Sequence, residues 1–203
     1  MRTKHGLMIS SVATAAILLI TFSYYLLRSP QKPSSAILGE AFNPSGDFTL
    51  TEASGRLFHL KDHRGEVVLL FFGYTSCPGI CPMTLAKFSK VRSLLGAMNQ
   101  KVVTVFVTVD PERDTAARLK EYLGYFDKRA IGLTGTKTEI DKVVDAYKAS
   151  YKKIRDASSR GYTIDHTSII YLIDKQGRVR YLFHQDDRPE KMVSIIKEIS
   201  ADI

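Results

Sequence analysis

Val67-Val68-Leu69-Leu70-Phe71-Phe72-Gly73-Tyr74-Thr75-Ser76-Cys77-Pro78-Gly79-Ile80-Cys81-Pro82 runs from an apolar stretch into a turn-forming segment that holds both cysteines of the 203-residue chain. The apolar residues 67–72, β-branched and aromatic in large part, predict a strand buried on both faces. Pro82 fits the first turn of a helix, which places Cys81 near the helix N-cap and Cys77 in the preceding loop. Both sulfurs then lie near the positive end of a helix dipole, which favours thiolate over thiol and raises metal affinity and nucleophilicity together. Positions i and i+4 share a helical face, so two thiolates at this spacing can converge on one soft metal ion or join as a disulfide. A structural disulfide framework needs several bridges spread along a chain, so one close pair works as a unit and is the candidate site. A buried, inert pair is the competing reading. The prolines and glycine around the cysteines count against it, because they read as an exposed turn.

Upstream of this stretch, residues 48–51 and 56–60 read as a hairpin around Ser54-Gly55. Downstream, a helix from 82 to about 95 carries Leu85, Phe88, Val91 and Leu95 at core-facing spacing, and residues 102–109 form another apolar strand. The resulting βαβ unit puts the cysteines at the carboxyl end of its first strand, where sites in open α/β sheets tend to lie. Asp114 or Thr115 caps a helix running to about 125, and Thr136 with Glu139 forms a capping box for a second helix near 137–150. Residues 169–173 and 178–183 form a hairpin around Asp174-Lys175-Gln176-Gly177, and a last helix starts near Pro189. This order resembles an α/β thioredoxin-like fold with an added N-terminal β-hairpin and an inserted helix, preceded by one transmembrane helix.

The transmembrane helix is read from residues 7–27, which carry no charge and are mostly apolar. At the helical rise they cover about 31 Å, roughly one bilayer core. Arg2 and Lys4 precede this run while Arg28 and Lys32 follow it, so the charge balance leans toward a cytoplasmic or matrix location for residues 1–6. A cleaved signal peptide is the alternative. It is disfavoured because Ala13-Thr14-Ala15 falls inside the apolar run and Ser34-Ser35-Ala36 lies well beyond its end. Residues 28–41 are a polar, proline-containing linker, and 42–203 form a single domain large enough to bury a core without disulfides. The net charge of +8 is dispersed and accompanied by no aromatic-basic motif, which argues against nucleic-acid binding. Lys148, Lys152, Lys153, Arg155 and Arg160 are the one local concentration. They read as a solvated helix end, with a docking patch for anionic headgroups or an acidic partner as the alternative.

Five histidines occur. His5 precedes the apolar run, His59 and His63 surround a strand-to-turn passage, and His184 closes a strand, so exposed structural roles are the expectation for these four. His166 stands in Tyr162-Thr163-Ile164-Asp165-His166-Thr167, a loop just before the strand at 169–173. Taken with the cysteine segment and with Asp110-Pro111-Glu112-Arg113-Asp114-Thr115, it completes a set of three segments that resembles the SCO (SenC) family of membrane-anchored copper chaperones for cytochrome c oxidase assembly. The resemblance extends from about residue 42 onward.

It implies that copper is bound by Cys77, Cys81 and His166, in both the Cu(I) and Cu(II) states. It further implies delivery to the CuA site of cytochrome c oxidase subunit II, with reduction of that site's cysteines as a companion role and no principal enzymatic activity. An upstream copper donor and a thiol reductant are the other implied partners. The implied location is the bacterial inner membrane with the domain facing the periplasm, or alternatively the mitochondrial inner membrane facing the intermembrane space. Two thiolates suit soft Cu(I), and an imidazole is compatible with Cu(II) as well. A structural zinc site normally takes four protein ligands, and no fourth is evident. Asp110 and Asp165 are candidates for orienting His166 or for weak coordination, with capping or turn formation as their alternative.

One departure from the family pattern is Gly79, because members often carry an acidic residue between the cysteines; the loss of negative charge bears on copper affinity or docking without removing a ligand. The rival function is a thiol-disulfide oxidoreductase of the thioredoxin-like class using the same two sulfurs. Thioredoxins usually have a two-residue gap and a cis-proline before a later strand, whereas this chain has no proline between Pro111 and Pro189 and carries His166-Thr167 there. Peroxiredoxins place a threonine three residues before the reactive cysteine, where Tyr74 stands here.

Overall fold

The computed structural model describes residues 21–22, 44, 46–155 and 161–201. The chain divides into two units, 1–35 and 36–203. Of the first, Thr21 and Phe22 are described and both are helical. The rest of the expected span at 7–27, the linker at 28–41 and His5 lie outside the described residues. Among the described residues, no helix is long and apolar enough to cross a membrane.

The second unit is built on β3 (Val67–Gly73), every residue of which is buried. Its large apolar side chains each contribute roughly 1.5–3 kcal/mol on leaving water, which explains why so apolar a run sits at the centre of a sheet. β3 pairs in parallel with β4 (Val102–Thr108), in register from Val67↔Val102 to Gly73↔Thr108. β4 pairs in parallel with β5 (Ile131–Thr134). Two hairpins flank this parallel core. β1 (Thr49–Glu52) and β2 (Leu57–His59) attach antiparallel to β5, while β8 (Ile170–Ile173) and β9 (Val179–Phe183) attach antiparallel to β3. The sheet order is therefore β2-β1-β5-β4-β3-β8-β9. β5 is absent from the expectations above, since four residues interrupted by Gly132 carry little periodic signal.

Helix α1 (Ile80–Leu95) follows β3 and buries Leu85, Phe88, Val91 and Leu95, the stripe read from the sequence. It begins two residues before Pro82, with Gly79 as N-cap. Pro82 still falls within the first turn, where a missing N–H costs no intrahelical bond. Helix α2 (Ala116–Gly124) is capped by Thr115, whose hydroxyl accepts the Arg118 N–H; Asp114 is buried and otherwise engaged. Helix α3 (Lys137–Ala146) opens with the expected capping box of Thr136 and Glu139. Helix α4 (Pro189–Ala201) packs against α1, and α2 packs on β5.

Two expectations change after α3. The helix stops at Ala146 rather than near 150, because the chain turns through Lys148 at φ 53 and enters a strand, β6 (Tyr151–Arg155). Lys152, Lys153 and Arg155 are therefore exposed on a strand and not on a helix end; Arg160 lies outside the described residues. His166 likewise is the last residue of a strand, β7 (Tyr162–His166), rather than part of a loop. β6 and β7 form a separate two-stranded ribbon, in register from Tyr151↔His166 to Arg155↔Tyr162.

Candidate metal centre

Cys77 lies in the loop between β3 and α1, where its N–H donates to the Tyr74 carbonyl at 3.2 Å. Cys81, the second residue of α1, is fully buried, and its N–H points at Cys77 Sγ at 3.5 Å. Its sulfur is pressed against the end of β3. A Cβ added at Gly73 would lie 2.7 Å from Cys81 Sγ and 2.8 Å from Phe106 Cε2, so a strand residue without a side chain is what lets the sulfur seat here. Both cysteines are free thiols.

His166 comes from the ribbon. Its Nε2 lies 3.6 Å from Cys81 Sγ, and its Nδ1 is 3.0 Å from the Thr167 carbonyl oxygen. A carbonyl can only accept, so this bond assigns the proton to Nδ1 and leaves the Nε2 lone pair facing the sulfurs. The ring is held edge-on by Phe71, at a centroid distance of 5.9 Å, and by Tyr74 at 5.7 Å. The donor atoms of Cys77, Cys81 and His166 all lie within 4.8 Å of one another. They form the one such group of three or more His, Cys, Asp or Glu side chains found among the described residues.

The two sulfurs are electrostatically unequal. A hydrogen bond from the Cys81 thiol, opposed by partial burial, holds the Cys77 pKa well below the ordinary thiol range. Cys81, which makes that hydrogen bond and is buried beside the resulting charge, is pushed up. The pair thus shares one proton, with the negative charge on the more exposed sulfur.

Neither carboxylate expected beside His166 orients its ring. Asp110 is fully buried after β4 and accepts hydrogen bonds from Arg113 Nε and, at 2.7 Å, from Tyr162 Oη. Asp165 is exposed and opposes Lys152 across the ribbon, because alternation along β7 sends neighbours to opposite faces. The orienting acceptor is a backbone carbonyl instead. The remaining described histidines are structural: His59 bonds Thr49 Oγ1 at 2.7 Å, His63 contacts Glu66 at 2.7 Å and stacks on Phe58, and His184 is exposed after β9. His59 and His63 are half-buried rather than exposed.

Several residues around the centre take roles that the sequence does not announce. Buried Asp114 accepts from Thr75 N (2.9 Å), Thr75 Oγ1 (2.5 Å) and Thr108 Oγ1 (2.7 Å), fixing the start of the Cys77 loop. Arg118 Nε donates to Thr75 Oγ1 at 2.7 Å and its Nη2 to Ser76 Oγ at 3.0 Å. Gly73 carries a general signal of its own, because a glycine at the end of a strand pattern marks close approach.

Thiolate and imidazole donors bind first-row ions at about 2.0–2.3 Å, so three of them around one ion stand about 3.5–4 Å apart. The spacing here fits that geometry with small adjustment. Two sulfurs and one nitrogen suit a soft or borderline ion and leave part of its coordination sphere open to an incoming ligand.

The SCO1/SenC family model matches residues 38–201. An SCO2-like protein of Rickettsia conorii is 37% identical over 175 residues, covering 84% of this chain and 85% of the relative. The solved structure of Bradyrhizobium japonicum ScoI with copper bound is 40% identical, superposes with a TM-score of 0.70, and covers 76% of this chain and 98% of its own. Yeast Sco1 with copper bound is 29% identical with a TM-score of 0.73, over 79% and 90% of the two chains. With the whole sheet, the ribbon and all three donor residues inside the matched span, the chain belongs to the SCO1/SenC family.

Proposed function

We propose that this chain is a membrane-anchored copper metallochaperone in which Cys77, Cys81 and His166 hold the ion in transit to the CuA site of cytochrome c oxidase subunit II. The observation that carries the proposal is the convergence of two sulfurs and one imidazole nitrogen within 4.8 Å. Residues 7–27 serve as the anchor, 28–41 as the tether, and 42–203 as the copper domain facing the periplasm. The anchor holds the domain near a membrane-embedded recipient and raises its effective concentration there.

The residues divide the work by their protonation and exposure. Cys77 presents a thiolate at the surface and is poised to take copper from a donor. Cys81 gives up the shared proton as it becomes a ligand, so loading releases a proton and is favoured by rising pH. His166 offers Nε2 without any proton to lose. On delivery, incoming thiolates of the recipient replace these donors one at a time, beginning with the exposed Cys77.

Copper titration of the reduced protein tests this. Cys77→Ser with Cys81→Ser abolishes tight Cu(I) binding, whereas His166→Ala keeps Cu(I) on the two sulfurs at reduced affinity and loses the Cu(II)-thiolate absorption. Undiminished Cu(I) affinity in the double cysteine variant overturns the proposal.

A second role, reduction of the recipient's disulfide, is supported by the inequality of the two sulfurs. Attack by the Cys77 thiolate forms a mixed disulfide and releases one partner thiolate. Cys81, deprotonated, then displaces the second, leaving a Cys77–Cys81 disulfide and a reduced partner. This role needs no imidazole. If His166→Ala keeps wild-type Cu(II) binding and still supports oxidase assembly, exchange becomes the main function.

A further inference from the structure

We infer that the turn at residues 110–114 is a two-sided positioning device, with Arg113 setting His166 and Asp114 setting Cys77. The inference rests on the reading of Cys77, Cys81 and His166 as copper ligands. The three donors come from two bodies: the cysteines belong to the loop and helix beside the seven-stranded sheet, while His166 belongs to a ribbon that, among the described residues, shares no strand ladder with that sheet. The distance from imidazole to sulfur is therefore governed by whatever ties ribbon to sheet.

Among the described residues, this turn supplies several of the polar ties between ribbon and sheet. Arg113 Nη1 donates to the Tyr162 carbonyl at 3.0 Å, and its guanidinium carbon lies 3.7 Å from the centroid of the Tyr162 ring. Tyr162 Oη donates to Asp110 Oδ1 at 2.7 Å, and Arg113 Nε donates to the same carboxylate. Glu112 pairs with Lys153 of β6 at 2.6 Å. Two further contacts to β7 come from elsewhere: the Ile164 N–H donates to Tyr74 Oη at 3.2 Å, at the end of β3, and His166 Nε2 lies 3.6 Å from Cys81 Sγ. The start of β7 is thus gripped by residues 110–113, four residues before His166.

The opposite end of the same turn grips the cysteine side. The Asp114 N–H donates to the Asp110 carbonyl at 2.9 Å, closing the turn, and the Asp114 carboxylate takes the N–H and hydroxyl of Thr75, two residues before Cys77. Asp110 and Asp114 are both fully buried, so each carboxylate is committed to these partners. Because Asp110 N–H also bonds Thr108 Oγ1 at 3.0 Å, the turn is fixed to the end of β4 and cannot shift as a unit. Arg113 and Asp114 are neighbours in sequence, yet their bonds run to different sides of the site, Arg113 to Tyr162 of β7 and Asp114 to Thr75 of the Cys77 loop.

The device predicts separable defects, measurable on the full-length chain in detergent. Arg113→Ala weakens Cu(II) binding by about 10–100-fold, the range seen when a ligand's support is removed, and reduces nitrogen coupling in the Cu(II) spectrum. Its Cys77–Cys81 disulfide forms and reduces within about twofold of the wild-type rate. Arg113→Lys recovers part of the loss. Thr75→Val gives the converse: Cys77 alkylation slows and Cu(I) affinity falls, while nitrogen coupling in the Cu(II) form is kept. If Arg113→Ala does not fold, Tyr162→Phe, which removes a single hydroxyl, carries the same test. A wild-type Cu(II) spectrum in Arg113→Ala, or in Tyr162→Phe where it stands in, overturns the inference. Loss of both readouts in parallel by both variants, tracking thermal stability, overturns it equally. His166→Ala is run alongside: wild-type Cu(II) binding there refutes the ligand reading itself, whereas loss there with no effect of Arg113→Ala refutes the positioning device alone.

Discussion

Gly73 ends β3 with no room for a methyl group between the backbone, Cys81 Sγ and the Phe106 ring, all of which are buried. Gly73→Ala should destabilise the fold by about 1–3 kcal/mol, as overpacking of a close-packed core does, and push Cys81 out of reach of His166. A urea melt and a Cu(I) competition assay together check this, and no change in either would refute the packing argument. Cys77 carries a pH signature. With its pKa depressed, the thiol is already ionised on descending through the ordinary value of about 8.5, so alkylation of the reduced, metal-free protein stays flat from about pH 9 to about pH 6. An ordinary thiol slows about tenfold per pH unit over that interval, and such a slope would disprove the assignment. The cysteines and His166 were legible because thiol and imidazole are rare and their local motifs are distinctive. The acceptor that orients the ring was not, since every residue carries a carbonyl and only folding selects the one at Thr167. Asp110 and Asp165 drew attention as carboxylates near the motifs, yet one turned to Arg113 and Tyr162 and the other to the solvent-exposed face of β7.

Elements read well wherever the pattern carried its own punctuation. Thr136 and Glu139 announced the start of α3, and both reciprocal bonds are present, with Glu139 N–H to Thr136 Oγ1 at 3.3 Å and Thr136 N–H to Glu139 Oε2 at 2.7 Å. Thr136→Ala should therefore cost about 1 kcal/mol, seen as a lower urea midpoint at an unchanged slope. A midpoint equal to wild type would show that the tertiary contacts of α3 hold its first turn without the cap. The ribbon was harder to see. Tyr162-Thr163-Ile164-Asp165-His166 alternates weakly, and its partner strand is largely exposed and basic, so neither presents the apolar face by which strands are recognised. β5 was hidden for a different reason: it is short and stabilised by pairing with β4 and β1, which no local window contains.

For the whole molecule, the order of elements gave the thioredoxin-like α/β arrangement, because apolar strands separated by capped helices admit few topologies. The proposed anchor belongs to this scale as well. The full chain should sediment with membranes, resist carbonate extraction, and expose its α/β domain to protease from the periplasmic side. A soluble mature chain beginning after residue 27 would replace the anchor with a cleaved leader. The division of the donor set between sheet and ribbon has a last consequence. Cys81 and His166 are 85 residues apart in the chain, so an ion held between them closes a long loop and ties the ribbon to the sheet, which share no ladder among the described residues. Any ligand that binds only the folded form adds RT ln(1 + [L]/Kd) to its stability, and that increment disappears when the ligand is released. Under the proposed function, each hand-over leaves the spent carrier more open to proteolysis than the loaded one, so that the protein's lifetime in the cell would follow the supply of its cargo.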